Sequence, residues 1–379
     1  MIRLPRGQSF RAGAPSGARA MSGRTKVWRV DPENPDRQAI REAAEVLRRG
    51  GLVAFPTETV YGLGAVIRLR DSVRRIFEVK GRPPDNPLIV HISSLDQLRE
   101  VASAVPERAL RLAEVFWPGP LTLVLPRGDV PDEVTAGLPK VAVRMPAHAV
   151  ALALIEEAGA PLAAPSANLS GRPSPTSAEH VLRDLGGKIE GVLDAGETLY
   201  GVESTIVDLT ADPPILLRPG AMPVEKIEEV LEERVVIPSF ARGLGEAERA
   251  LAPGMKYRHY APQAAMLVVE ADDYSDLRRL AAAVREAALA KAAEGLKVCV
   301  LCTEETLPLY AGLGAGVALK CLGSRRNLFT VARNLFKALR DVDDEGFDLV
   351  VAEGFEERGL GLTIMNRLRK ASGFNIVRV

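Results

Sequence analysis

The sequence predicts two α/β domains, the first on a mixed, partly antiparallel sheet and the second on a parallel sheet between two helical layers. The chain has 379 residues, which favours two hydrophobic cores over one. In the first part of the chain, strand-like runs are irregularly spaced, and several connections between them are too short for a helical crossover. Both observations predict a mixed sheet rather than a regular parallel one. After about residue 262, strand-like and helical patterns alternate, as they do in parallel three-layer folds.

The elements of the first domain are predicted from short apolar runs and from helical spacing. Ile40, Ala43, Val46 and Leu47 have helical spacing and precede a glycine stop. Strands are predicted at 52–55, 88–92, 121–125, 141–144, 162–164, 191–194, 205–208 and 215–217. Helices are predicted at 39–49, 72–80, 107–116, 149–157 and 178–185, followed by a charged helix that ends near Arg234.

The second domain follows a Gly- and Ala-rich linker that ends in APGMKYRHYAP. Its strands are predicted at 266–270, 298–302 and 347–352, and its helices at 274–294, 326–339 and 362–371. The first residues are rich in arginine and carry no acid before Asp31, which favours a disordered tail. We therefore expect a tail at 1–24, a first domain at 25–235, a linker or lid at 236–262 and a second domain at 263–379.

Composition narrows the classes of function. The 49 basic and 49 acidic residues produce no overall field that would attract a polyanion, so direct DNA binding is not expected. No apolar run is long enough to span a bilayer. The three cysteines form no disulfide framework, which favours a reducing, cytoplasmic compartment. Cys299 and Cys302 lack a second pair with which to bind zinc, and no metal site is expected.

The stretch GGLVAFPTETVYGLGA is the strongest indication of a site. An apolar strand runs into a proline turn that carries Thr57, Glu58 and Thr59. Gly62 and Gly64 then allow either a close approach of the backbone or a positive φ. Polar groups clustered at the end of a buried strand predict a pocket for a small molecule.

Four further residues carry charge or hydrogen-bonding groups next to predicted strands. Lys80 and Arg82 lie in the turn KGRPPDNP, where two cations suit phosphate oxygens, although a solvated helix end would carry similar residues. His91 follows, and we expect it to bind through polar contacts rather than as a metal ligand. Arg144 closes the strand VAVRMP as a clamp for a carboxylate or phosphate, and a structural salt bridge is the alternative.

Hydroxyl and amide groups cluster in APSANLSGRPSPT. Ser166, Asn168, Ser170 and Ser174 lie there among prolines and a glycine, directly after an apolar run. Such groups on rigid backbone suit phosphate or sugar oxygens. A polar surface loop is the alternative, and it is weakened because the apolar run 160–164 leads straight into this segment. The segments YGVEST and LLRPGA show the same pattern.

Taken together, these motifs resemble the YrdC-like family of threonylcarbamoyl-AMP synthases in its long, two-domain form. The resemblance covers about residues 27–379, and its hallmark is the pair Lys80-x-Arg82 and Ser166-x-Asn168. It rests on FPTETVYGLG, KGRPPDNPL, WPGPLT, VRMP, APSANLSG, GVESTIVD, LRPG, PGMKYRHYAP, NLFKALR and GLGLTIMNRLRKA. It implies a YrdC-like domain with a twisted mixed sheet and flanking helices, and a smaller, Rossmann-like C-terminal domain.

The resemblance also implies a reaction. L-Threonine, bicarbonate and ATP give threonylcarbamoyladenylate, pyrophosphate and water, with a threonine carbamate attacking the α-phosphate of ATP. The adenylate then passes to a tRNA threonylcarbamoyl transferase, which modifies tRNAs that read ANN codons. Because the nucleophile is already an anion, positioning and charge stabilisation matter more than a strong base.

The same resemblance assigns site residues. Threonine is expected to contact Thr59, His91, Arg144, Ala164 and Ser204. ATP is expected to contact Lys80, Arg82, Asn86, Ser166, Asn168, Ser174, Arg218 and Tyr260. Lys80, Arg82 and Arg144 are the expected catalytic residues. Mg²⁺ would accompany the triphosphate, and Tyr260 would close a water-excluding lid. Lys140 replaces a common threonine, so its phosphate contact is left out.

Two other functions remain open from the sequence. A double-stranded RNA-binding module is disfavoured by zero net charge and few aromatic residues. A carbamoyltransferase that acts on a protein is disfavoured because the zinc-finger and acylphosphatase-like modules of such enzymes are missing from this sequence.

Overall fold

The computed structural model describes residues 24–245, 247, 250–253, 255, 260–314 and 316–379. The expected tail therefore lies almost wholly outside the described residues, as does the run Lys256 to His259 of the expected lid. The described residues form a ten-stranded mixed sheet and a five-stranded, all-parallel sheet, each with packed helices. The predicted fold class is confirmed.

The first sheet contains ten strands in the order β1-β8-β2-β3-β7-β4-β6-β5-β9-β10. The strands are β1 Lys26–Arg29, β2 Val53–Phe55, β3 Gly62–Val66, β4 Ile89–His91, β5 Leu121–Pro126, β6 Lys140–Arg144, β7 Leu162–Ala163, β8 Gly191–Asp194, β9 Thr205–Asp208 and β10 Ile215–Arg218. The helices are α1 Arg37–Arg48, α2 Arg70–Lys80, α3 Leu95–Val101, α4 Glu107–Phe116, α5 Asp132–Thr135, α6 Ala149–Ala158, α7 Ala178–Leu185 and α8 Val224–Leu231.

Short connections make this sheet mixed. The turn between β2 and β3 allows only an antiparallel pair, whereas β4 and β6 are separated by helices and pair in parallel. Helices α1 and α6 pack on one face of the sheet, and α2, α4 and α8 pack on the other. The carboxyl ends of β4 and β6 therefore lie side by side, close to the β2–β3 turn.

Strand β3 was not predicted, because two of its five residues are glycines. Neither Gly62 nor Gly64 has a positive φ. Of the two roles that the sequence suggested for these glycines, only the close approach of the backbone to another group applies. A Cβ atom on Gly64 would lie 2.8 Å from Cε1 of Phe55, across the antiparallel pair. Glycine at position 64 therefore leaves room for a buried aromatic ring under the turn.

The second sheet contains five strands in the order β13-β12-β14-β11-β15. The strands are β11 Ala265–Glu270, β12 Val298–Cys302, β13 Val317–Cys321, β14 Leu349–Glu353 and β15 Ile376–Arg378. The helices are α9 Leu277–Ala293, α10 Leu328–Asp344 and α11 Leu360–Ala371, with a 3₁₀ turn at Leu307–Tyr310. Helix α9 packs on one face and α10 with α11 on the other, which confirms three layers.

Two helices of the second domain contact the first domain directly. Arg340 of α10 donates from Nη2 to the Pro173 carbonyl at 2.6 Å and pairs with Asp184 at 2.9 Å. Thr363 of α11 donates from Oγ1 to the Gly220 carbonyl at 2.8 Å. These contacts fix the second domain against loops of the first. Among the helices described, none combines the length and the apolar character needed to cross a membrane.

Candidate active site

A polar cavity opens where the β2–β3 turn, the ends of β4 and β6 and the loop after β7 converge. Its empty volume is about 620 Å³, counted out to its open mouth. All of the predicted site residues line it except Lys80 and Asn86: Thr59, Arg82, His91, Arg144, Ala164, Ser166, Asn168, Ser174, Ser204, Arg218 and Tyr260. The fold thus brings together residues that are far apart in the sequence: Thr59 and Tyr260 are separated by 201 positions.

His91 and Arg144 are neighbours because they are paired in the parallel register of β4 and β6. Both side chains are buried, and the His91 and Phe55 rings lie nearly perpendicular, with 6.1 Å between their centroids. Burial, with a smaller contribution from the Arg144 charge, lowers the pKa of His91 to about 3. His91 is therefore neutral at physiological pH and can only accept or donate as an imidazole.

The Arg144 guanidinium is held at the β2–β3 turn. Its Nη1 donates to Thr59 Oγ1 at 2.8 Å, and its Nη2 lies 2.6 Å from Glu58 Oε1. Thr59 Oγ1 is also 2.8 Å from Thr57 Oγ1, which donates to the Val60 carbonyl at 2.6 Å. A rigid hydroxyl network thus fixes a guanidinium at the end of a strand, which is the geometry of a carboxylate or phosphate clamp.

The loop after β7 is supported from behind by Lys80. Its Nζ donates to the Ser166 carbonyl at 2.6 Å and to the Asn168 carbonyl at 2.5 Å. Burial, followed by the nearby charge of Arg82, lowers the pKa of the Lys80 ammonium well below its ordinary value. Lys80 therefore shapes the loop that presents Ser166 and Asn168, rather than lining the cavity itself.

Two asparagine oxygens near this loop are buried without a hydrogen-bond partner. Asn168 donates from Nδ2 to the carbonyls of Leu169 and Arg172, which leaves its Oδ1 unpaired. The Oδ1 of Asn86 is likewise unpaired, although this side chain does not line the cavity. Because buried polar atoms normally have partners, the Asn168 oxygen is a candidate acceptor for a ligand or a water molecule.

Arg82 and Arg218 supply two more cations. Arg82 donates from Nε to the Asn86 carbonyl at 3.1 Å and from Nη2 to the Pro87 carbonyl at 2.9 Å, which fixes it in the proline turn. Arg218 donates from Nη2 to the Ser204 carbonyl at 2.9 Å and to its Oγ at 3.2 Å. Ser204 Oγ in turn lies 2.8 Å from Thr122 Oγ1. Backbone carbonyls thus hold both guanidinium groups in place.

Tyr260 closes the far end of the cavity from the linker. Its ring stacks on Phe336 at 5.2 Å between centroids, with the Arg367 guanidinium 4.9 Å from the ring centre. The backbone of Tyr260 has a φ of 65°, a left-handed conformation that sets the ring direction. The Lys256 to His259 part of the expected lid lies outside the described residues.

Several lining residues were not predicted as site residues. Glu203 and Arg172 are the main examples, and both lie inside quoted motifs, GVESTIVD and the serine-rich loop. Arg172 donates from Nη1 to Asp184 at 3.0 Å. Lys140 does not line the cavity and instead pairs with Asp208 at 2.8 Å. Position within a motif was the available signal for Glu203 and Arg172, whereas the arginine that pairs with Glu203, Arg367, comes from a distant segment.

The cavity combines guanidinium groups, hydroxyls and backbone carbonyls. Glu203 is its lining carboxylate, and it is engaged by Ser174 and Arg367. Within the described ranges, no three His, Cys, Asp or Glu side chains are grouped so that they could hold a metal ion. Such a site suits an anionic ligand that brings its own nucleophile, because it offers charge stabilisation rather than an acid–base pair.

Comparison with known proteins gives the same family for both domains. Residues 45–220 match the Sua5/YciO/YrdC family model, described as "Telomere recombination", and residues 222–373 match the model for the C-terminal domain of threonylcarbamoyl-AMP synthase. The threonylcarbamoyl-AMP synthase of Pyrococcus abyssi is 53% identical over 90% of this chain and 96% of its own length. That of Bacillus subtilis is 47% identical over 94% of this chain and 100% of its own length.

A solved structure supports the likeness in three dimensions. The crystal structure of P. abyssi Sua5 complexed with L-threonine has a TM-score of 0.86 and 51% identity, and it matches 94% of this chain and 100% of that one.

Proposed function

The chain belongs to the threonylcarbamoyl-AMP synthase family, and we propose that it performs the reaction of that family in the cavity lined by Arg144 and Arg218. L-Threonine, bicarbonate and ATP react to give threonylcarbamoyladenylate, pyrophosphate and water. The enzyme is a nucleotidyltransferase that acts in tRNA modification. One observation carries this proposal: a guanidinium fixed by Glu58 and Thr59 lies in the same cavity as three further arginines.

The threonine half of the site lies at the ends of β4 and β6. Arg144 binds the threonine carboxylate, because its guanidinium is already oriented by Thr59 and Glu58. His91 is neutral and supplies a hydrogen bond without adding charge. Ala164 and Ser204 complete the wall around the side chain. Held in this way, the threonine amine captures carbon dioxide as a carbamate next to the nucleotide.

The ATP half of the site is the remainder of the cavity. Arg82 and Arg218 neutralise phosphate oxygens as the carbamate oxygen attacks the α-phosphorus and pyrophosphate leaves. Ser166, Asn168 and Ser174 contact the nucleotide through polar groups, while Lys80 holds the first two of these in place. Asn86 fixes the turn that carries Arg82. The chemistry therefore depends on alignment rather than on a strong base.

Magnesium accompanies the triphosphate in this proposal. The unpaired Oδ1 of Asn168 is a hard oxygen donor at the edge of the cavity, which suits Mg²⁺ or one of its water ligands. The ion supplies charge neutralisation on the phosphates when it is bound. Phosphate oxygens and water would supply most of its other ligands, since the one lining carboxylate, Glu203, already has two partners.

The organisation of the chain follows from this chemistry. Residues 25–235 form the catalytic domain, 236–262 the linker with Tyr260 as lid, and 263–379 the domain that holds the lid in place. A carbamoyl-adenylate hydrolyses readily, so a lid that excludes water protects the product. The adenylate is then passed to a tRNA threonylcarbamoyl transferase in the cytoplasm.

Transfer of labelled carbon tests the function directly. The purified protein is incubated with ATP, threonine and ¹³C-bicarbonate, and the adenylate is detected by mass spectrometry. We expect one ¹³C atom per threonylcarbamoyladenylate, and no product without threonine. Consumption of carbamoyl phosphate instead would indicate a protein carbamoyltransferase. Tight, steeply salt-dependent binding of double-stranded RNA without adenylate formation would indicate an RNA-binding module.

A further inference from the structure

A chain of three polar side chains connects the second domain to the cavity. Arg367 of α11 is fully buried and donates from Nε to Glu203 Oε2 at 3.0 Å. The other oxygen of Glu203, Oε1, accepts a hydrogen bond from Ser174 Oγ at 2.6 Å. Glu203 and Ser174 line the cavity, whereas Arg367 lies behind them. A residue of the second domain thus reaches a cavity residue through one intermediate side chain.

The guanidinium of Arg367 is fixed on every side. Its Nη2 donates to the Pro219 carbonyl at 2.9 Å, and its Nη1 donates to Asn366 Oδ1 at 2.6 Å. The group also lies 4.9 Å from the centre of the Tyr260 ring. Because each guanidinium nitrogen donates a hydrogen bond and the side chain is not exposed to solvent, the Arg367 guanidinium is held in one orientation. Glu203 is the carboxylate that pairs with it.

This pairing keeps Glu203 ionised. Burial raises the pKa of the Glu203 carboxyl, but the charges of Arg367 and Arg218 and the Ser174 hydrogen bond outweigh it and lower the pKa overall. An ionised carboxylate only accepts hydrogen bonds, and a serine hydroxyl has a single proton to donate. The proton of Ser174 is therefore committed to Glu203, and only the lone pairs of Ser174 Oγ remain for a ligand.

We propose that Arg367 is a positioning residue which, through Glu203, fixes Ser174 as a hydrogen-bond acceptor for a ribose hydroxyl of ATP. The inference rests on the proposed function, which supplies ATP as the ligand. Phosphate oxygens are acceptors and cannot pair with an acceptor, and the Glu203 charge repels them. The ribose hydroxyls are donors. The nucleoside therefore lies at the Ser174 end, and the phosphates lie towards Arg82 and Arg218.

Equilibrium binding of nucleotides tests this proposal without requiring turnover. Titration calorimetry with ATP, 2′-deoxy-ATP and 3′-deoxy-ATP compares the wild type with Arg367→Met and Arg367→Lys. We expect Arg367→Met to weaken ATP binding about tenfold, which is the loss of one hydrogen bond to a charged system. Arg367→Lys, which keeps the charge, should recover part of this loss. Binding of threonine should change less than about twofold.

The deoxy nucleotides identify the donor. In the wild type, one of the two should bind about tenfold more weakly than ATP. In Arg367→Met, that same nucleotide and ATP should bind almost equally, because the acceptor is no longer aligned. This loss of discrimination is a readout that general destabilisation of the fold would not produce.

Two further variants control for the possibility that Arg367→Met does not fold. Arg325→Met removes another ion-paired arginine of the second domain, a partly buried one that pairs with Glu353 at 2.7 Å, and should leave the preference for ATP over the deoxy nucleotide intact. The double variant Glu203→Gln, Arg367→Met removes both buried charges at once, so it should fold even where Arg367→Met does not. It should still lack the ribose preference, because Ser174 no longer faces a carboxylate.

Two results would overturn the inference. One is an ATP affinity of Arg367→Met within about twofold of the wild type. The other is equal binding of ATP and both deoxy nucleotides by the wild type. Failure of the proposed function looks different: the wild type would bind ATP yet form no threonylcarbamoyladenylate, and the binding comparison would still decide the role of Arg367.

Discussion

The Arg144 guanidinium lies 2.6 Å from the Glu58 carboxylate, and each of these side chains is only 4% exposed. Their residues are 86 positions apart, and they meet because β6 ends opposite the β2–β3 turn. Neither Glu58 oxygen nor Arg144 Nη2 has a hydrogen bond of good geometry. The sequence left open whether Arg144 is a ligand clamp or a structural salt bridge; in the structure Arg144 forms an ion pair with Glu58 and also lines the cavity.

Removing one partner of this pair should be more harmful than removing both. Arg144→Met leaves Glu58 as an uncompensated buried charge and should lower the free energy of unfolding by about 3–5 kcal/mol. The double variant Arg144→Met, Glu58→Gln should regain much of that stability but bind no threonine. Urea unfolding and threonine calorimetry separate the two effects. A double variant that binds threonine normally would exclude Arg144 as the carboxylate clamp.

Gly64 should be intolerant of a side chain. In Gly64→Ala the new Cβ would lie 2.8 Å from the Phe55 ring, which contacts His91. We expect a loss of about 1–3 kcal/mol in stability and a raised KM for threonine, because the ring must move. Gly62→Ala is the stability control, since its Cβ would meet Ala164 at an ordinary 3.4 Å. Equal unfolding free energies for the two variants would contradict this interpretation.

His91 should make the protein less stable in mild acid. Its pKa is about 3 in the folded state because of burial and the Arg144 charge, against 6.5 ordinarily. Between these values the unfolded chain binds the proton and the folded protein does not, so stability is lost as the pH falls below 6.5.

Comparison with His91→Gln isolates this contribution from those of His148 and His180, whose pKa values are also lowered by burial. Well below the unfolded pKa, the wild type should lose about 1.4 kcal/mol more per pH unit than the variant. Urea unfolding at about pH 7, 6 and 5 measures the difference. Parallel pH dependences for the two proteins would show that His91 is charged in the folded state.

Lys80 should matter through the loop that it supports. Lys80→Met leaves the carbonyls of Ser166 and Asn168 unpaired, which should cost about 2–4 kcal/mol in stability and weaken ATP binding. Lys140→Met is the control, because Asp208 still accepts from Thr210 when Lys140 is removed.

Calorimetry with ATP distinguishes the two lysines. The Lys140 variant should bind ATP like the wild type. Weaker ATP binding by the Lys140 variant would instead indicate that Lys140 contacts the phosphates, a contact that the sequence left in doubt. Unchanged ATP binding by Lys80→Met would mean that the loop keeps its shape without the lysine.

Elements with strong apolar runs could be predicted, and those with mixed character could not. The eight strands predicted in the first domain agree with the structure to within one residue at each end. Strand β3 was missed because glycine disfavours strands, and its pairing with β2 overrides that preference. Strands β13 and β15 lie at the sheet edges, where polar side chains interrupt the apolar pattern.

In the site, residues that belong to local motifs could be predicted, and contacts between distant parts of the chain could not. Motif residues such as Arg144 and Ser174 could be named from the sequence, because polar groups next to buried strands are a local signal. Their partners could not be predicted. Glu203 and Arg367 are 164 positions apart, and their contact depends on the packing of α11 against the first domain. Spacing along the chain carries no information about such a pair.

Release of pyrophosphate from ATP is the measurement that tests the central claim most directly. The purified protein is assayed with threonine and bicarbonate together, with each omitted in turn, and with serine in place of threonine. We predict release only when both threonine and bicarbonate are present, and none from Arg144→Met under the same conditions. Release of pyrophosphate without threonine would contradict the account, because the cavity would then activate ATP for a different acceptor.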